Sequence, residues 1–430
     1  MQQFTEDVYE QGWKQQIGVL TQTERGPLLV VDADDETPEL QTDAIVRRNY
    51  AIGQIARQLV DPDYTVVVPQ KVISRERLQA VLAERGVDEN RAWVYGSVLP
   101  RRLILRSSKV QVHPTLPGDC VPAWFDPAFP VRLAGSALPG YSCFSLEALR
   151  EAVHLLLKEF AAVRLKDPSG TSGEGQTKIG SEAALDRFLA QRQESWDEND
   201  RRYAGNFAAY MRCYGYVVEA NLSEAEPWSF TLTRTPGQAF TSFGRTVESP
   251  TRLPNGNVFM EYGGTSSLTV FGNSDGFSDK GLPDVMPVED PLRSGEDQLL
   301  VGPDDEIVSV AEKHIGALQS WEADGAVRTR ANVDVLKGAL VYCDGTRETV
   351  VASVEDSGRA GGASPAELLS AVQLSTSTTY NHALHSTRHV FNRQQSAVYK
   401  AYFEAMDKGL ILWDGHDRDW GDKFVFLCVY

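Results

Sequence analysis

The chain has 430 residues, enough for two or three domains of ordinary size. Its formal net charge of −17 argues against nonspecific binding to nucleic acid or to an anionic membrane surface. Apolar residues make up 42% of the sequence, and no run approaches the ~18 consecutive apolar residues of a membrane-spanning helix. The sequence therefore predicts a globular protein with an ample core and no nucleic-acid or membrane partner.

Two features of the sequence bear on the cellular compartment. The first residues, MQQFTEDVYEQGWKQQ, have neither the basic nor the apolar region of a signal peptide. The cysteines are widely spaced and form no CxxC pair, which is typical of reduced thiols. They are Cys120, Cys143, Cys213, Cys343 and Cys428. We therefore expect a cytoplasmic location.

The first quarter of the chain alternates between strand and helix patterns. GPLLVVDAD and YTVVVPQ are typical of buried strands, and the segment between them has apolar residues at helical spacing. SRERLQAVLAERGV predicts a helix with Ser74 as its N-cap and Gly86 at its end. RRLILRSS predicts a further strand. This alternation predicts a small α/β unit over roughly residues 25 to 110.

A proline-rich connection then leads to two predicted helices with a glycine-rich segment between them. SLEALREAVHLLLKEF is amphipathic and is capped by Ser145, and SEAALDRFLAQRQ is capped by Ser181. Between them, VRLKDPSGTSGEGQTKI has the pattern of a strand that ends in Lys166, a glycine-rich loop and a second short strand.

The glycine-rich loop has two interpretations. Gly170, Gly173 and Gly175 allow backbone N–H groups to converge on an anion, and Lys166 supplies a positive charge for a phosphate. The loop is not a Walker A motif, because GK[ST] is missing, and no helix follows it directly as in a Rossmann fingerprint. A hairpin that merely turns has the same pattern, so the loop alone does not decide between the two.

The second half of the chain brings acidic residues to the ends of apolar strands. YGYVVEANLSEAEPWSF carries Glu219 and Glu226. A helix is expected around residues 306 to 322, followed by ANVDVLKGALVY and TRETVVASVEDS, which carry Asp334 and Glu355. Two carboxylates without a nearby His or Cys are hard ligands, which suit Mg²⁺ better than zinc.

Two segments near the C-terminus carry further predictions. SPAELLSAVQL predicts a helix with Ser364 as N-cap, Pro365 at the first position and Glu367 reaching back. YNHALHSTRH places three histidines on one face of an expected helix, which favours either a metal site or a polar face that binds an acidic substrate together with Arg388. The three are His382, His385 and His389.

In this order the motifs resemble the ATP-grasp superfamily over roughly residues 105 to 390. The resemblance implies a combined α/β and α+β fold in which two α+β lobes enclose a nucleotide. An N-terminal α/β pre-ATP-grasp domain is expected over residues 1–105. A central lobe with the glycine-rich loop is expected over residues 106–216, and a C-terminal lobe with the hinge and the metal site over residues 217–430.

For the nucleotide, the resemblance implies a role for each matching residue. Lys166 is expected to contact the α- and β-phosphates, and the backbone from Gly170 through Gly173 to Gly175 to close over the β- and γ-phosphates. Val217 to Leu222 is the expected adenine hinge, with Glu219 close to the adenine amino group. Glu226 is the expected ligand of the ribose hydroxyls.

For the metal and the transferred phosphate, the resemblance points to the two late strands. Asp334 and Glu355 are expected to hold Mg²⁺, and Arg359 to face the transferred phosphate, with Gly361 and Gly362 passing close beneath the substrate. The family has an asparagine two residues after the second acid, where this chain has Ser357, and Asp356 is a candidate to compensate. The family's earlier lysine has no certain match; Arg132 is the best candidate.

The resemblance implies an ATP- and Mg²⁺-dependent ligase. Such an enzyme activates a small-molecule carboxylate as an acyl-phosphate, which an amine or another nucleophile then attacks. A kinase acting on a small molecule and a nucleotide-binding protein without turnover are the alternatives, and a homodimer stays open. The identity of the carboxylate and of its acceptor depends on pocket shape, which one sequence does not fix.

Overall fold

The computed structural model of the protein describes twelve stretches of the chain. They are residues 27–31, 43–100, 108–169, 175–194, 206–252, 258–271, 285–287, 299–301, 304–376, 382–390, 409–417 and 421–429. Within these stretches, no helix has both the length and the apolarity needed to cross a membrane. Four cysteines in the same stretches are free thiols, as predicted; they are Cys120, Cys143, Cys213 and Cys343.

The N-terminal unit is a parallel three-stranded sheet in the order β1-β2-β4, with two helices in its connections. Its elements are β1 (Leu28–Val31), α1 (Asp43–Ala56), β2 (Thr65–Pro69), α2 (Arg75–Glu84) and β4 (Ala92–Val94). Ser74 caps α2 as predicted, because its hydroxyl accepts a hydrogen bond from the Arg77 N–H. Gly86 follows the helix with φ +65°. The predicted strand RRLILRSS falls mainly on residues 101–107, which lie outside the described residues.

A second small sheet joins the N-terminal unit to the C-terminal half of the chain. Its strands are β3 (Ile73–Ser74), β5 (Ser97–Leu99) and β15 (Val327–Arg328), with β15 antiparallel to β5. Near it, Ile52 and Ile55 of α1 share one buried cluster with Ala366 and Leu369, which belong to the last described helix. The N-terminal unit therefore shares hydrophobic core with the C-terminal half.

The middle of the chain forms an antiparallel four-stranded sheet in the order β6-β9-β7-β8. One face packs on helices through a large apolar cluster that includes Val163, Leu165 and Val218. The elements of this region are α3 (Ser108–Gln111), α4 (Ala128–Arg132), β6 (Gly140–Cys143), α5 (Leu146–Leu157), β7 (Val163–Lys166), β8 (Gln176–Ile179), α6 (Glu182–Glu194), α7 (Phe207–Tyr214) and β9 (Tyr216–Ala220). The predicted caps Ser145 and Ser181 accept hydrogen bonds from Ala148 N–H and Ala184 N–H, respectively.

The remainder forms an antiparallel eight-stranded sheet in the order β17-β16-β10-β11-β12-β18-β20-β19. The elements are β10 (Leu222–Arg234), β11 (Ala239–Arg252), β12 (Val258–Phe271), α8 (Asp305–Gln319), β16 (Arg330–Val341), β17 (Arg347–Ser357), α9 (Ser364–Thr376), β18 (His382–Val390), β19 (Gly409–Asp417) and β20 (Gly421–Val429). A separate hairpin consists of β13 (Val285–Pro287) and β14 (Leu299–Val301). α8 packs on one face of the sheet, where Leu318 lies in one buried cluster with Trp228 and Val333.

The predicted combination of α/β and α+β parts is confirmed. A parallel N-terminal unit precedes two antiparallel sheets with their own helices, which is the arrangement that the resemblance to ATP-grasp proteins implies. The expected boundary at residues 216–217 falls inside β9, a strand that pairs with both β6 and β7 of the central sheet. The chain passes from the central sheet to the large sheet only after Ala220, at Asn221.

Two C-terminal predictions differ from the structure. α9 begins at Ser364 itself, whose hydroxyl accepts a hydrogen bond from the Gly361 N–H instead of capping the helix, while Glu367 pairs with Arg330. The three histidines lie on strand β18 and not on a helix. Three residues at positions i, i+3 and i+7 all lie on one face only in a helix. The prediction that the three histidines share a face is therefore wrong.

Candidate functional site

The hairpin of β7 and β8 holds Lys166 at the root of the glycine-rich loop. Lys166 pairs with Gln176 in the register, and the next residue, Asp167, donates its N–H to the Gly175 carbonyl at 2.9 Å. Gly175 has φ +70°, a left-handed conformation that glycine adopts without strain. Gly170 and Gly173 lie outside the described residues. The structure thus places Lys166 and Gly175 on the two sides of the loop root.

Asp167 anchors this root to two helices. One carboxylate oxygen accepts hydrogen bonds from Ser169 and from the Tyr210 hydroxyl at 2.6 Å, and the other lies 2.6 Å from the Arg192 guanidinium. Burial and the Asp167 charge raise the pKa of Tyr210 well above its ordinary value, so the phenol stays a donor. The start of the loop is therefore fixed to α6 and α7.

Lys166, Glu219 and His113 form a buried polar cluster on the central sheet. The Lys166 Nζ lies 2.6 Å from the Glu219 Oε1, and the His113 Nε2 lies 3.0 Å from Oε2. Burial alone raises the pKa of Glu219, but Lys166 and then His113 outweigh it and lower the pKa to about 2. Glu219 is thus ionised at neutral pH, with both oxygens held by side chains of the protein.

The expected hinge lies next to this cluster. Val217 and Glu219 belong to β9, and Leu222 is buried at the start of β10. Between them, Asn221 donates its backbone N–H to the Ala162 carbonyl at 3.0 Å. The structure therefore brings the expected hinge residues beside Lys166, on a strand that pairs with β6 on one edge and with β7 on the other.

A second polar centre lies on the large sheet. Asp334 on β16 lies directly opposite Glu355 on β17, and Ser229 on β10 lies directly opposite Asp334 on its other side. Directly opposite residues share a face of the sheet, so the two carboxylates are side by side. Burial and the charge of Glu355 raise the pKa of Asp334 to about 7.

Lys109 of α3 is the cation beside these acids. Its Nζ lies 3.2 Å from the Glu355 Oε2, and its side chain is only 9% exposed. The sequence singled out Arg132 as the early basic residue, but Arg132 is 42% exposed and pairs with Asp126. Lys109, and not Arg132, is therefore the early basic residue that lies beside the acidic pair.

One short segment joins the two centres. Lys109 pairs with Glu355 of the large sheet, and His113, four residues later, pairs with Glu219 of the central sheet. Sequence reasoning missed both residues, because α3 has only four residues and offers no helical periodicity. The signal available was the run SKVQVH, which carries two basic side chains directly after the predicted strand RRLILRSS.

The residues after Glu355 separate onto two faces. Asp356 points away from Glu355, because neighbouring strand residues face opposite sides, and its carboxylate lies 3.3 Å from the Arg328 guanidinium. Asp356 therefore does not compensate for the missing asparagine. Ser357 is half-buried on the same face as Glu355 and lies opposite Asn332 in the register.

A buried ion pair holds the turn that carries Arg359. Arg330 lies 3.1 Å from the Glu367 carboxylate, and it donates to the carbonyls of Ser357 and Arg359 at 3.3 and 2.6 Å. The close backbone approach in this turn occurs at Gly358, where a Cβ would overlap the Ser97 Oγ. A Cβ at Gly361 would meet only the Arg330 side chain, at 3.9 Å.

Glu226 does not join either centre. It lies on an exposed part of β10 and pairs with Arg245 at 3.6 Å. Its position along the strand places it on the face of Trp228, whereas Ser229 and Asp334 lie on the opposite face. The structure thus separates the expected ribose ligand from the acidic pair.

The donor set of the acidic pair fits Mg²⁺. Burial first, and then the charge of Glu355, raise the pKa of Asp334, and a divalent cation between the two carboxylates offsets both effects. In the described part of the chain, no group of three or more His, Cys, Asp or Glu residues is placed to hold a metal. Mg²⁺ is commonly held by one or two carboxylates together with substrate phosphates and water, so two acids suffice.

The chain belongs to the family described as "Protein of unknown function (DUF3182)", whose model matches residues 41–288. No curated protein matches the chain.

Solved structures resemble the chain over most of its length at low identity. An N5-carboxyaminoimidazole ribonucleotide synthetase with ADP is 10% identical, with a TM-score of 0.46 over 95% of this chain and 93% of that one. A biotin carboxylase from Campylobacter jejuni is 8% identical, with a TM-score of 0.45 over 94% and 87%. The biotin carboxylase domain of a Hydrogenobacter thermophilus 2-oxoglutarate carboxylase is 11% identical, with a TM-score of 0.47 over 95% and 86%.

Proposed function

We propose that the protein is an ATP- and Mg²⁺-dependent ligase that activates a carboxylate as an acyl-phosphate for attack by an amine or another nucleophile. The observation that carries the proposal is the direct opposition of Asp334 and Glu355, with Lys109 at 3.2 Å from Glu355. Paired acids with a buried cation beside them suit a metal-bound polyphosphate, because the metal and the cation together neutralise part of the phosphate charge.

The nucleotide end of the site is assigned to the central sheet. Lys166 binds the phosphates nearest the base, and the backbone from Gly170 through Gly173 to Gly175 closes over the terminal phosphates. The base lies at the hinge between Val217 and Leu222. This assignment is supported by the position of Lys166 at the loop root and by the rigid anchoring of Asp167.

The metal end is assigned to the large sheet. Asp334 and Glu355 hold Mg²⁺, with the Ser357 hydroxyl on the same face as a further oxygen donor. When bound, Mg²⁺ supplies positive charge that orients and neutralises the terminal phosphates. Lys109 and Arg359 add positive charge on the side of the phosphate that is transferred, and Arg330 fixes the backbone of Arg359 for this purpose.

In the proposed reaction, a carboxylate oxygen of the substrate attacks the γ-phosphorus of ATP, and ADP leaves with the electrons of the broken bond. The nucleophile then attacks the carbonyl carbon of the acyl-phosphate, loses a proton and expels inorganic phosphate. The protein supplies no covalent partner. Its residues hold the two reactants in line, neutralise charge as it develops and exclude water from the acyl-phosphate.

The first experiment is calorimetric titration of MgATP into the wild-type protein and into Lys166→Ala. We expect binding that requires Mg²⁺ and that weakens at least tenfold in the variant, which corresponds to about 1.4 kcal/mol. Lys313→Ala, which removes an exposed lysine bonded to a backbone carbonyl, is the matched control and should bind like the wild type. A wild-type protein that binds no MgATP contradicts the proposal.

A second measurement separates the ligase from its alternatives. ADP release is followed with panels of carboxylates and amines, and the products are identified by mass. Coupled release of ADP and phosphate with a condensed product supports the ligase. Phosphate retained on an alcohol identifies a kinase, and MgATP binding without ADP release in every combination identifies a nucleotide-binding protein without turnover.

A further inference from the structure

Arg164 lies on the same face of the central sheet as Lys166. The two residues are two positions apart on β7, and alternate strand residues share a face, whereas Val163 and Leu165 enter the apolar core behind the sheet. In the register, Arg164 lies directly opposite Glu219. Arg164 is therefore on the side of the sheet that carries the Lys166–Glu219–His113 cluster.

The guanidinium of Arg164 is positioned by neutral groups only. It donates to the Gln176 Oε1 and to the Asn221 Oδ1, each at 2.9 Å. Among the described residues, no carboxylate forms an ion pair with Arg164, in contrast to Lys166 and Arg192, which both have one. The two amide oxygens fix the plane of the guanidinium without forming an ion pair with it.

The flat faces of this guanidinium have no aromatic partner in the described part of the chain. Three other arginines each lie over an aromatic ring of the protein; they are Arg192 over Phe207, Arg245 over Trp228 and Arg328 over Trp321. A half-buried, planar cation with no ring of its own to cover its faces is well suited to stack on an aromatic ring supplied by a ligand.

The position of Arg164 along the strand indicates which part of a ligand it meets. Lys166 stands at the glycine-rich loop and opposite Val217, and Arg164 stands two residues, or about 7 Å, further from the loop and opposite Glu219 in the middle of the expected hinge. Asn221, which holds the guanidinium, is the residue that links the central sheet to the large sheet. If the phosphates occupy the loop end, the base occupies the end where Arg164 lies.

We propose that Arg164 stacks on the nucleobase of the bound nucleotide and contributes to its affinity through the ring and not through the phosphates. This inference rests on the proposed function, because it takes the nucleotide to lie with its phosphates at Lys166. Stacking reads the face of a ring and not its edge, so Arg164 adds affinity for any purine without distinguishing one purine from another.

The test uses two probes on the full chain. MgATP has both base and phosphates, and magnesium tripolyphosphate has the phosphates alone. We expect Arg164→Leu to weaken MgATP about five- to thirtyfold, the range for a partly desolvated cation–ring contact. We expect the affinity of the same variant for magnesium tripolyphosphate to stay at the wild-type value, which also shows that the variant is folded. Lys166→Ala should weaken both probes.

Arg164→Lys and Arg150→Leu complete the set. Arg164→Lys keeps the positive charge but lacks the planar guanidinium. Its loss of affinity for MgATP should therefore be nearly as large as that of Arg164→Leu. Arg150→Leu removes an arginine whose side chain is 53% exposed and that pairs with Asp186, and it should change neither probe.

Each remaining outcome overturns a specific statement. If Arg164→Leu weakens the affinity for MgATP and for magnesium tripolyphosphate equally, the guanidinium contacts a phosphate. That result refutes stacking, while the ligase proposal stands. Unchanged MgATP affinity in Arg164→Leu and Arg164→Lys also refutes the inference alone. A wild-type protein that binds neither probe refutes the inference together with the proposed function.

Discussion

Replacing Asp334 by asparagine should make the metal-free protein more stable at alkaline pH. The pKa of Asp334 is raised from 3.8 to about 7 by burial and by Glu355, so ionising it in the folded state costs free energy. At 1.36 kcal/mol per pKa unit the cost is at most about 4 kcal/mol. Because the Glu355 side chain is 27% exposed, water screens the repulsion, and we expect about half of that value, ~2 kcal/mol.

The pH dependence fixes the sign of this prediction. A raised carboxyl pKa means that the folded state binds more protons than the unfolded state between about pH 4 and pH 7, so wild-type stability falls as the pH rises through this window. Asp334→Asn lacks this fall. Its advantage in the free energy of unfolding should therefore be small near about pH 4.5 and complete near about pH 8.

The assay is urea unfolding in the presence of a chelator at both pH values. Asp63→Asn, which removes an exposed partner of Arg91, serves as the control and should change stability by only a few tenths of a kcal/mol. Adding Mg²⁺ at the alkaline pH should stabilise the wild type but not Asp334→Asn. An Asp334→Asn protein that is less stable than the wild type at the alkaline pH, or equally stabilised at both, refutes the reasoning.

Three further predictions follow from single contacts. Lys109→Met leaves Glu355 without its cation, so it should tighten binding of Mg²⁺ alone while slowing ADP release, measured by calorimetry and by a coupled assay. Glu367→Gln leaves Arg330 buried without its carboxylate and should lower the free energy of unfolding by roughly 3 kcal/mol or more in urea. Ser145→Ala removes an N-cap and should cost about 1 kcal/mol in the same measurement.

Each of these has a result that contradicts it. Weaker Mg²⁺ binding in Lys109→Met would mean that the lysine positions Glu355 for the metal instead of competing with the metal for that carboxylate. A Glu367→Gln protein as stable as the wild type would mean that the Arg330 charge reaches water. For Ser145, a Ser145→Thr variant retains the hydroxyl that caps the helix and donates to Asp119, so equal losses in both variants would assign the effect to something other than capping.

The parts of the fold that were predictable from the sequence depend on local chemistry. Ser74, Ser145 and Ser181 all precede helices with clear apolar periodicity, and each accepts the hydrogen bond that a cap requires. The opposition of Asp334 and Glu355 follows from two strands joined by a short turn. Patterns of this kind need no long-range information.

The parts that the sequence did not predict depend on partners far along the chain. Ser364 has the sequence of an N-cap, but Arg330 takes the Glu367 carboxylate that was expected to complete the motif. The histidine segment alternates weakly, and pairing with β12 and β20 makes it a strand. Lys109 is recognisable as a site residue only from its ion pair with Glu355, which is distant in sequence.

The link from Lys109 to His113 limits how far the two sheets separate at this edge. Four residues span at most about 14 Å between Cα atoms, and the ends of this span are tied to Glu355 and to Glu219. While both ion pairs hold, this edge of the central sheet stays within that distance of the large sheet. The segment therefore works as a tether that couples the position of Glu219 to the position of Glu355.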